Sequence, residues 1–102
     1  IKYAEAVKET IKGYYSYSGD KDYYKINPGS REKIKFKIRG INDTDMTVSV
    51  TDALGYRIKT VSVNGASEIE FSETVDVSAY LIVEFSGNVS DSDYSIDMIK
   101  QR

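Results

Sequence analysis

The side chains that carry most acid–base and covalent chemistry are missing from this sequence, which has no histidine and no cysteine among 102 residues. Their absence excludes Ser-His-Asp catalysis, thiol nucleophiles, disulfides and thiolate metal sites within the chain. Paired carboxylates remain at Glu68/Glu70 and Asp91/Asp93. Each pair has the i, i+2 spacing of a strand or loop surface, without any sign of a cleft. We therefore expect the chain not to be an enzyme.

Tyrosine is the most distinctive residue type that is left, with nine copies in the chain. A tyrosine ring is apolar and its hydroxyl is polar, so an exposed cluster makes an adhesive surface. Such a surplus cannot all be core. We take four tyrosines as candidate ligand-binding residues: Tyr14, Tyr15, Tyr17 and Tyr56. The alternative is that each tyrosine covers the edge of the fold with its hydroxyl in water.

A basic stripe follows from the alternating segment Lys33–Arg39, which places Ile34, Phe36 and Ile38 on a core face. The opposite face then carries four cations, at Lys33, Lys35, Lys37 and Arg39. They could contact an anionic polysaccharide or a parent domain, or they could simply guard a solvated strand. Four acidic residues could neutralise the stripe across strands: Asp43, Asp45, Glu68 and Glu70.

The elements that would position these residues read as short strands separated by turn signals every ~8–12 residues, a spacing typical of a sandwich or barrel. Ile58 and Val61 fall out of phase on one strand, which predicts a bulge. Residues 1–12 are expected to be a linker or short N-terminal turn, and residues 13–102 the β-sandwich module. Eight strands are expected in all: 13–17, 22–26, 33–39, 46–51, 56–63, 68–71, 80–85 and 94–98.

Charge and hydropathy limit the partners. The net charge is -2, which gives no attraction to nucleic acid, so no nucleic-acid partner is expected. No apolar run approaches the ~20 residues that cross a bilayer, so no membrane partner is expected either. Because the first residue is Ile1, we expect the chain to be a piece of a longer protein.

The order of the motifs resembles the bacterial pre-peptidase C-terminal domain family, which includes the collagen-binding domains of clostridial collagenases. The resemblance runs from about Gly13 to Ile99. It is carried by a Gly-led strand and a returning Asp22-Tyr23-Tyr24 strand read as a hairpin, then by four further segments: Asn27-Pro28-Gly29, 46–55, Tyr80-Leu81-Ile82-Val83 and Tyr94-Ser95-Ile96. The family implies an all-β, jelly-roll-like antiparallel β-sandwich of about eight strands, appended to secreted hydrolases and without catalysis.

The resemblance also implies two possible ligands. In calcium-binding members an Asp-x-x-Asp pair lies in this hairpin; Asp22 fits its second place, while Gly19 holds the first and Asp20 could substitute. Asp20 and Asp22 are therefore the candidate calcium ligands. The alternative is that Asp20 shapes the turn and Asp22 bonds to backbone amides. Collagen is a doubtful ligand, because Glu84 and Ser86 occupy outward positions where collagen-binding members carry tyrosines.

These observations lead to one functional expectation and one alternative. We expect a secreted or cell-surface bacterial module, the non-catalytic accessory domain of a hydrolase, in particular of a protease. Its partner would be an extracellular polymer, to which it attaches, or the parent catalytic domain, on which it packs. The alternative is a structural spacer or a folding and secretion aid without a ligand of its own.

Overall fold

The computed structural model describes residues 2–4, 8–14, 21–26, 28–42, 44–87 and 93–101, and the structural statements below concern these ranges. They hold nine strands: β1 Lys2–Ala4, β2 Lys8–Tyr14, β3 Lys21–Ile26, β4 Glu32–Arg39, β5 Thr44–Thr51, β6 Arg57–Asn64, β7 Glu68–Val75, β8 Ala79–Gly87 and β9 Asp93–Gln101. None of these ranges contains a helix that could cross a membrane.

The strands form two sheets, with the orders β1-β3-β8-β5-β6 and β2-β9-β4-β7. Consecutive strands from β2 to β9 alternate between the sheets in the manner of a jelly roll, except that β5 and β6 are neighbours in the five-stranded sheet. All pairings among these eight strands are antiparallel. Strand β1 adds a short parallel edge beside β3. The prediction of an all-β, jelly-roll-like sandwich is confirmed, with β1 as an addition to the eight strands expected.

Two expectations about the N-terminal part are wrong in secondary structure. Residues 2–4 and 8–12 lie in strands rather than in a linker or turn, because the hydrogen bonding offered by β3 and β9 outweighs a weak helical propensity. The strand pair expected between Gly13 and Ile26 is not a hairpin. Strand β2 pairs with β9 and β3 pairs with β8, in different sheets. The 15–20 segment that connects them lies outside the described residues.

The core lies between the sheets and follows the alternation read from the sequence. Ile34, Phe36 and Ile38 are fully buried on β4, as predicted. Strand β8 lies centrally between β3 and β5, and its residues Leu81 and Val83 are also fully buried. Burying an aliphatic or aromatic side chain of this size contributes roughly 1.5–3 kcal/mol, so these two strands anchor the sandwich.

Irregular points in the sheets also match the sequence. The register of β5 against β6 passes from Val50↔Lys59 to Thr51↔Arg57 and skips Ile58, which is the predicted bulge. Beyond β6 the chain turns at Gly65, whose φ is +60°. A Cβ at Gly40 would lie 2.3 Å from the Gly65 carbonyl oxygen, so the two loops meet only because residue 40 has no side chain.

Candidate binding cleft

A cleft lies on the outer face of the five-stranded sheet. On β3, Tyr23 points away from the core, while its neighbour Tyr24 is buried within it. On β8, Tyr80 and Ile82 share the outward face, because Leu81 between them points inward. Tyr23 pairs in register with Ile82, which makes Tyr23 and Tyr80 diagonal neighbours within reach of each other's rings.

These side chains line a cleft of about 200 Å³, together with Thr51 and Gly55. Ile82 is only 8% exposed, whereas Tyr23 is 40% exposed, so Ile82 sits deep and Tyr23 stands at the rim. Pockets for drug-sized ligands usually measure ~300–1,000 Å³. The cleft is therefore matched to a single ring or a short side chain, such as one repeating unit of a polymer.

The β5–β6 loop, residues 52–56, closes one end of the cleft and is held in a fixed shape. The Oδ1 atom of Asp52 accepts hydrogen bonds from the backbone N–H groups of Leu54 and Tyr56, each at 2.9 Å. Gly55 has a φ of +90°, a conformation that L-residues rarely adopt. Because Gly55 lines the cleft, Asp52 acts as a positioning residue for that wall.

The polar groups beneath the cleft are already hydrogen bonded. The Thr51 hydroxyl accepts from the Tyr80 backbone N–H at 3.0 Å and donates to the Asp52 carbonyl at 2.9 Å. The Ser49 and Thr60 hydroxyls bond to each other at 3.1 Å. The lining thus offers ring faces, an aliphatic floor and tyrosine hydroxyls, which suits a ligand group with one apolar face.

An ion cluster lies beside the aromatic part of this face. Glu84, on β8, contacts Arg57 at 2.5 Å and Lys21 at 3.9 Å. The Lys21 ammonium is also 5.9 Å from the centre of the Tyr23 ring, near the limit of a cation–π contact. Because β5 lies between β6 and β8, the Arg57 side chain must cross β5 to reach Glu84.

Of the four tyrosines selected from the sequence, two fall in the described residues. Tyr14 ends β2 in the four-stranded sheet, in register with Asp93. Tyr56 is 70% exposed in the β5–β6 loop, next to the cleft wall. Tyr15 and Tyr17 lie outside the described residues. Tyr14 thus lies in the four-stranded sheet and Tyr56 in a loop of the five-stranded sheet, and the ligand-binding role of all four remains a prediction.

Asp22, the predicted metal ligand on β3, has a defined partner. Its Oδ2 accepts the Tyr94 hydroxyl at 2.7 Å, and the Tyr94 hydroxyl also bonds to that of Tyr24. Burial raises the pKa of Tyr94 far above its usual value, and its hydrogen bonds to Tyr24 and Asp22 act in the same direction. The alternative expected from sequence placed backbone amides at Asp22; the observed donor is a tyrosine hydroxyl.

A calcium ion needs about six to eight oxygen ligands. Within the described ranges no group of three or more acidic, histidine or cysteine residues is placed to hold a metal. Asp20 lies outside those ranges. Asp22 is thus the one member of the predicted pair within the described residues, and the metal role of Asp20 and Asp22 remains a prediction.

Two of the four cations of the basic stripe on β4 form ion pairs across strands. Lys35 contacts Glu70 at 2.8 Å and Arg39 contacts Glu68 at 3.8 Å, as predicted for these two glutamates. The hydrogen bond from Lys35 lowers the pKa of Glu70, and the charges of Lys35 and Lys37 act in the same direction, against an opposing effect of desolvation. The pair Glu68/Glu70 therefore belongs to an ion-pair ladder.

Asp45, also proposed for neutralising the stripe, lies on β5 in the other sheet, so that part of the prediction is wrong. The chain separation between Asp45 and β4 is short, but β4 and β5 lie in different layers of the jelly roll. Asp43 lies outside the described residues.

The choice of tyrosines from the sequence passed over Tyr23 and Tyr80, the two that line the cleft. The signal was present in the alternation: in Asp22-Tyr23-Tyr24 only one of the two rings can face the core. On β8 the outward-facing positions that include Glu84 also include Tyr80 and Ile82. What the sequence did not provide was the neighbour relation between β3 and β8, which are separated by more than 50 residues.

Comparisons with known proteins bear on the fold. No protein-family model matches the chain, and no curated protein matches it significantly. Among solved structures it is similar to the pre-peptidase C-terminal domain of a collagenase from Bacillus anthracis, with a TM-score of 0.60 and 20% identity over 98% of this chain and 93% of that one. At such identity the likeness shows the fold alone.

Two other solved structures share this fold. One is PliG from Aeromonas hydrophila, a periplasmic inhibitor of g-type lysozyme, with a TM-score of 0.58 and 13% identity over 98% of both chains. The other is the Yersinia pseudotuberculosis-derived mitogen, with a TM-score of 0.59 and 17% identity over 92% of this chain and 86% of that one. The same sandwich thus occurs in proteins with different described roles, and the function has to be argued from the site.

Proposed function

We propose that this chain is a non-catalytic accessory domain of a secreted bacterial hydrolase, and that it attaches the enzyme to an extracellular polymer. The observation that carries the proposal is the cleft of Tyr23, Tyr80 and Ile82 on the outer face of the five-stranded sheet. A single-ring cleft on an otherwise regular sheet fits one repeating unit of a long chain, which continues across the face beyond it.

Membership of the pre-peptidase C-terminal family belongs to the same proposal. It is supported by the ordered sequence motifs and by the fold shared with the domain from the Bacillus anthracis collagenase. The secreted location is supported by that relationship and by the periplasmic inhibitor of the same fold. A protease is the parent enzyme that these similarities favour.

A spacer without a ligand would need neither an exposed ring nor a shaped cleft on its outer face. Instead, the β5–β6 loop is fixed by Asp52 at the cleft's end, and Tyr23 stands 40% exposed at its rim. Tyrosine is enriched among the residues that contribute most to binding at protein surfaces. This favours attachment over a spacer role.

Pull-down on insoluble collagen, chitin, cellulose and mucin tests the proposal, with soluble polymers examined by affinity electrophoresis. We expect retention on at least one polymer, and loss of most of it in Tyr23→Ala and Tyr80→Ala. Leu54→Ala is the matched control, because Leu54 is 83% exposed and does not line the cleft. Retention unchanged in both tyrosine variants, or no retention on any polymer, would contradict the proposal.

A further inference from the structure

Within the described ranges, the two cations Lys21 and Arg57 beside the cleft have a single acidic partner. Lys21 and Arg57 share one carboxylate, that of Glu84, with nitrogen–oxygen distances of 3.9 Å and 2.5 Å. The next acid along β5 on this face, Asp45, lies one row beyond Glu84 and away from the cleft. The nearest acid in the loop, Asp52, has its Oδ1 bound to two backbone N–H groups.

The opposite face of the sandwich provides a contrast within the same molecule. There Lys35 has Glu70 and Arg39 has Glu68, so each of these two cations has its own carboxylate. Within each of these two pairs the charges cancel. Two cations on one carboxylate next to two tyrosine rings form a different arrangement, in which a second anion would improve the electrostatic balance.

The placement of the charges suits an anion carried on a ring in the cleft. Lys21 is held near the Tyr23 ring, 5.9 Å from its centre. Arg57 follows directly on the loop that forms the cleft's end wall, and its guanidinium crosses β5 toward Glu84. The two cations therefore approach from the β3 and β6 sides and meet at Glu84, in the row next to Tyr23 and Ile82.

We propose that the polymer recognised by this cleft is an anionic polysaccharide, with one sugar ring against Tyr23 and Tyr80 and its acidic group against Lys21 and Arg57. This assignment rests on the proposed function, since it names the ligand of the same cleft. An acidic peptide would satisfy the two cations but would leave the ring-sized cleft unfilled. A neutral sugar would fill the cleft but would bring no second anion to the two cations that share the Glu84 carboxylate.

The test compares ligands that differ in one property at a time. Polygalacturonate and chondroitin sulfate carry a ring and an anion, methyl-esterified polygalacturonate carries the ring alone, and polyglutamate carries the anion alone. Affinity is measured by isothermal titration at low and high salt. We expect one of the acidic polysaccharides to bind about tenfold tighter than both controls, and its affinity to fall as salt screens the charges.

Amino-acid substitutions test whether the acidic polysaccharide binds at the cleft and its two neighbouring cations. Lys21→Gln combined with Arg57→Gln should weaken acidic-polysaccharide binding about tenfold, whereas the charge-matched pair Lys33→Gln and Lys37→Gln on the opposite face should leave it unchanged. Glu84→Gln should strengthen binding, because it removes the competing carboxylate.

The outcomes separate this inference from the proposed function. Equal binding of the acidic polysaccharides and the methyl ester, still lost in Tyr80→Ala, would overturn the anionic assignment and leave the cleft as a polymer site. Polyglutamate binding as tightly as the polysaccharides would also overturn it. Binding to none of these ligands, nor to the insoluble polymers, would overturn both.

Discussion

Replacing Tyr94 by phenylalanine removes one hydroxyl from the interior of the sandwich and almost no volume. That hydroxyl donates to the Asp22 carboxylate at 2.7 Å and bonds to the hydroxyl of Tyr24, which is 3% exposed. A hydrogen bond to a charged group contributes roughly 1.5–3 kcal/mol, and a neutral one about 1 kcal/mol. We therefore expect Tyr94→Phe to lower the free energy of unfolding by about 2–4 kcal/mol.

Urea denaturation at neutral pH measures this loss. We expect a lower midpoint with an unchanged m-value, and a melting temperature reduced by roughly 10 °C or more for a domain of this size. Tyr56→Phe is the control, since its exposed ring predicts a change within about 0.5 kcal/mol. Repeating both measurements with added calcium and with a chelator shows whether Asp22 acts in the hydrogen bonds with Tyr94 or as a metal ligand. A loss below about 0.5 kcal/mol in Tyr94→Phe would refute the reasoning.

Four further predictions follow from the described contacts. Above a pH of about 10 the wild-type domain should lose up to ~1.4 kcal/mol of stability per pH unit. The reason is that Tyr94 ionises in the unfolded chain, whereas its raised pKa keeps it neutral in the folded domain. In alkaline denaturation, the stability of Tyr94→Phe should therefore fall less steeply with pH. Gly40→Ala should destabilise the domain by more than about 2 kcal/mol, as its Cβ would meet the Gly65 carbonyl at 2.3 Å; the midpoint of urea unfolding measures this. Asp52→Ala should cost about 1 kcal/mol in the same assay and weaken polymer binding through the loosened cleft wall, whereas Asp52→Asn, which keeps an oxygen acceptor, should retain more of both. An acid titration followed by the NMR shift of the Glu70 carboxyl should give a pKa below its usual 4.5 in the wild type and a pKa nearer that value in Lys35→Gln. The stability that this pair contributes should be lost as the pH falls through the lowered pKa.

Local pattern was enough to predict most of the strands. The alternation in Lys33–Arg39 identified the buried face of β4, and the apolar run at residues 80–85 identified a central strand. Those signals are contained in a few neighbouring residues, since a strand's period of two is set by backbone geometry. The bulge at Ile58 could be predicted for the same reason.

The errors arose where a residue's role depends on a partner far away in sequence. Whether residues 8–14 form a strand depends on β9, which begins about 80 residues later. Gly13–Ile26 looked like a hairpin because both halves are strands joined by a turn signal, but each half hydrogen bonds to a different sheet. In a jelly roll most consecutive strands alternate between layers, so local turn chemistry does not indicate pairing.

The cleft illustrates the same limit for function. Tyr23 and Tyr80 could each be assigned to an outward face from alternation, yet only the pairing of β3 with β8 makes them neighbours. The neutralising partners of the basic stripe were predicted because Glu68 and Glu70 repeat the strand's own period on β7. Asp45 has a similar spacing but lies in the other sheet, and no local signal in the sequence indicates that difference.

The most direct test of the account is an NMR titration of the isotope-labelled domain with oligosaccharides cut from the acidic polysaccharide panel and from its methyl ester. We predict that backbone shift changes concentrate at Tyr23, Thr51, Gly55, Tyr80 and Ile82, the residues lining the cleft, and that the acidic fragments saturate them at lower concentration. Changes concentrated on the Lys33–Arg39 face, or no saturable change with any fragment, would contradict the claim that the tyrosine cleft is the binding site.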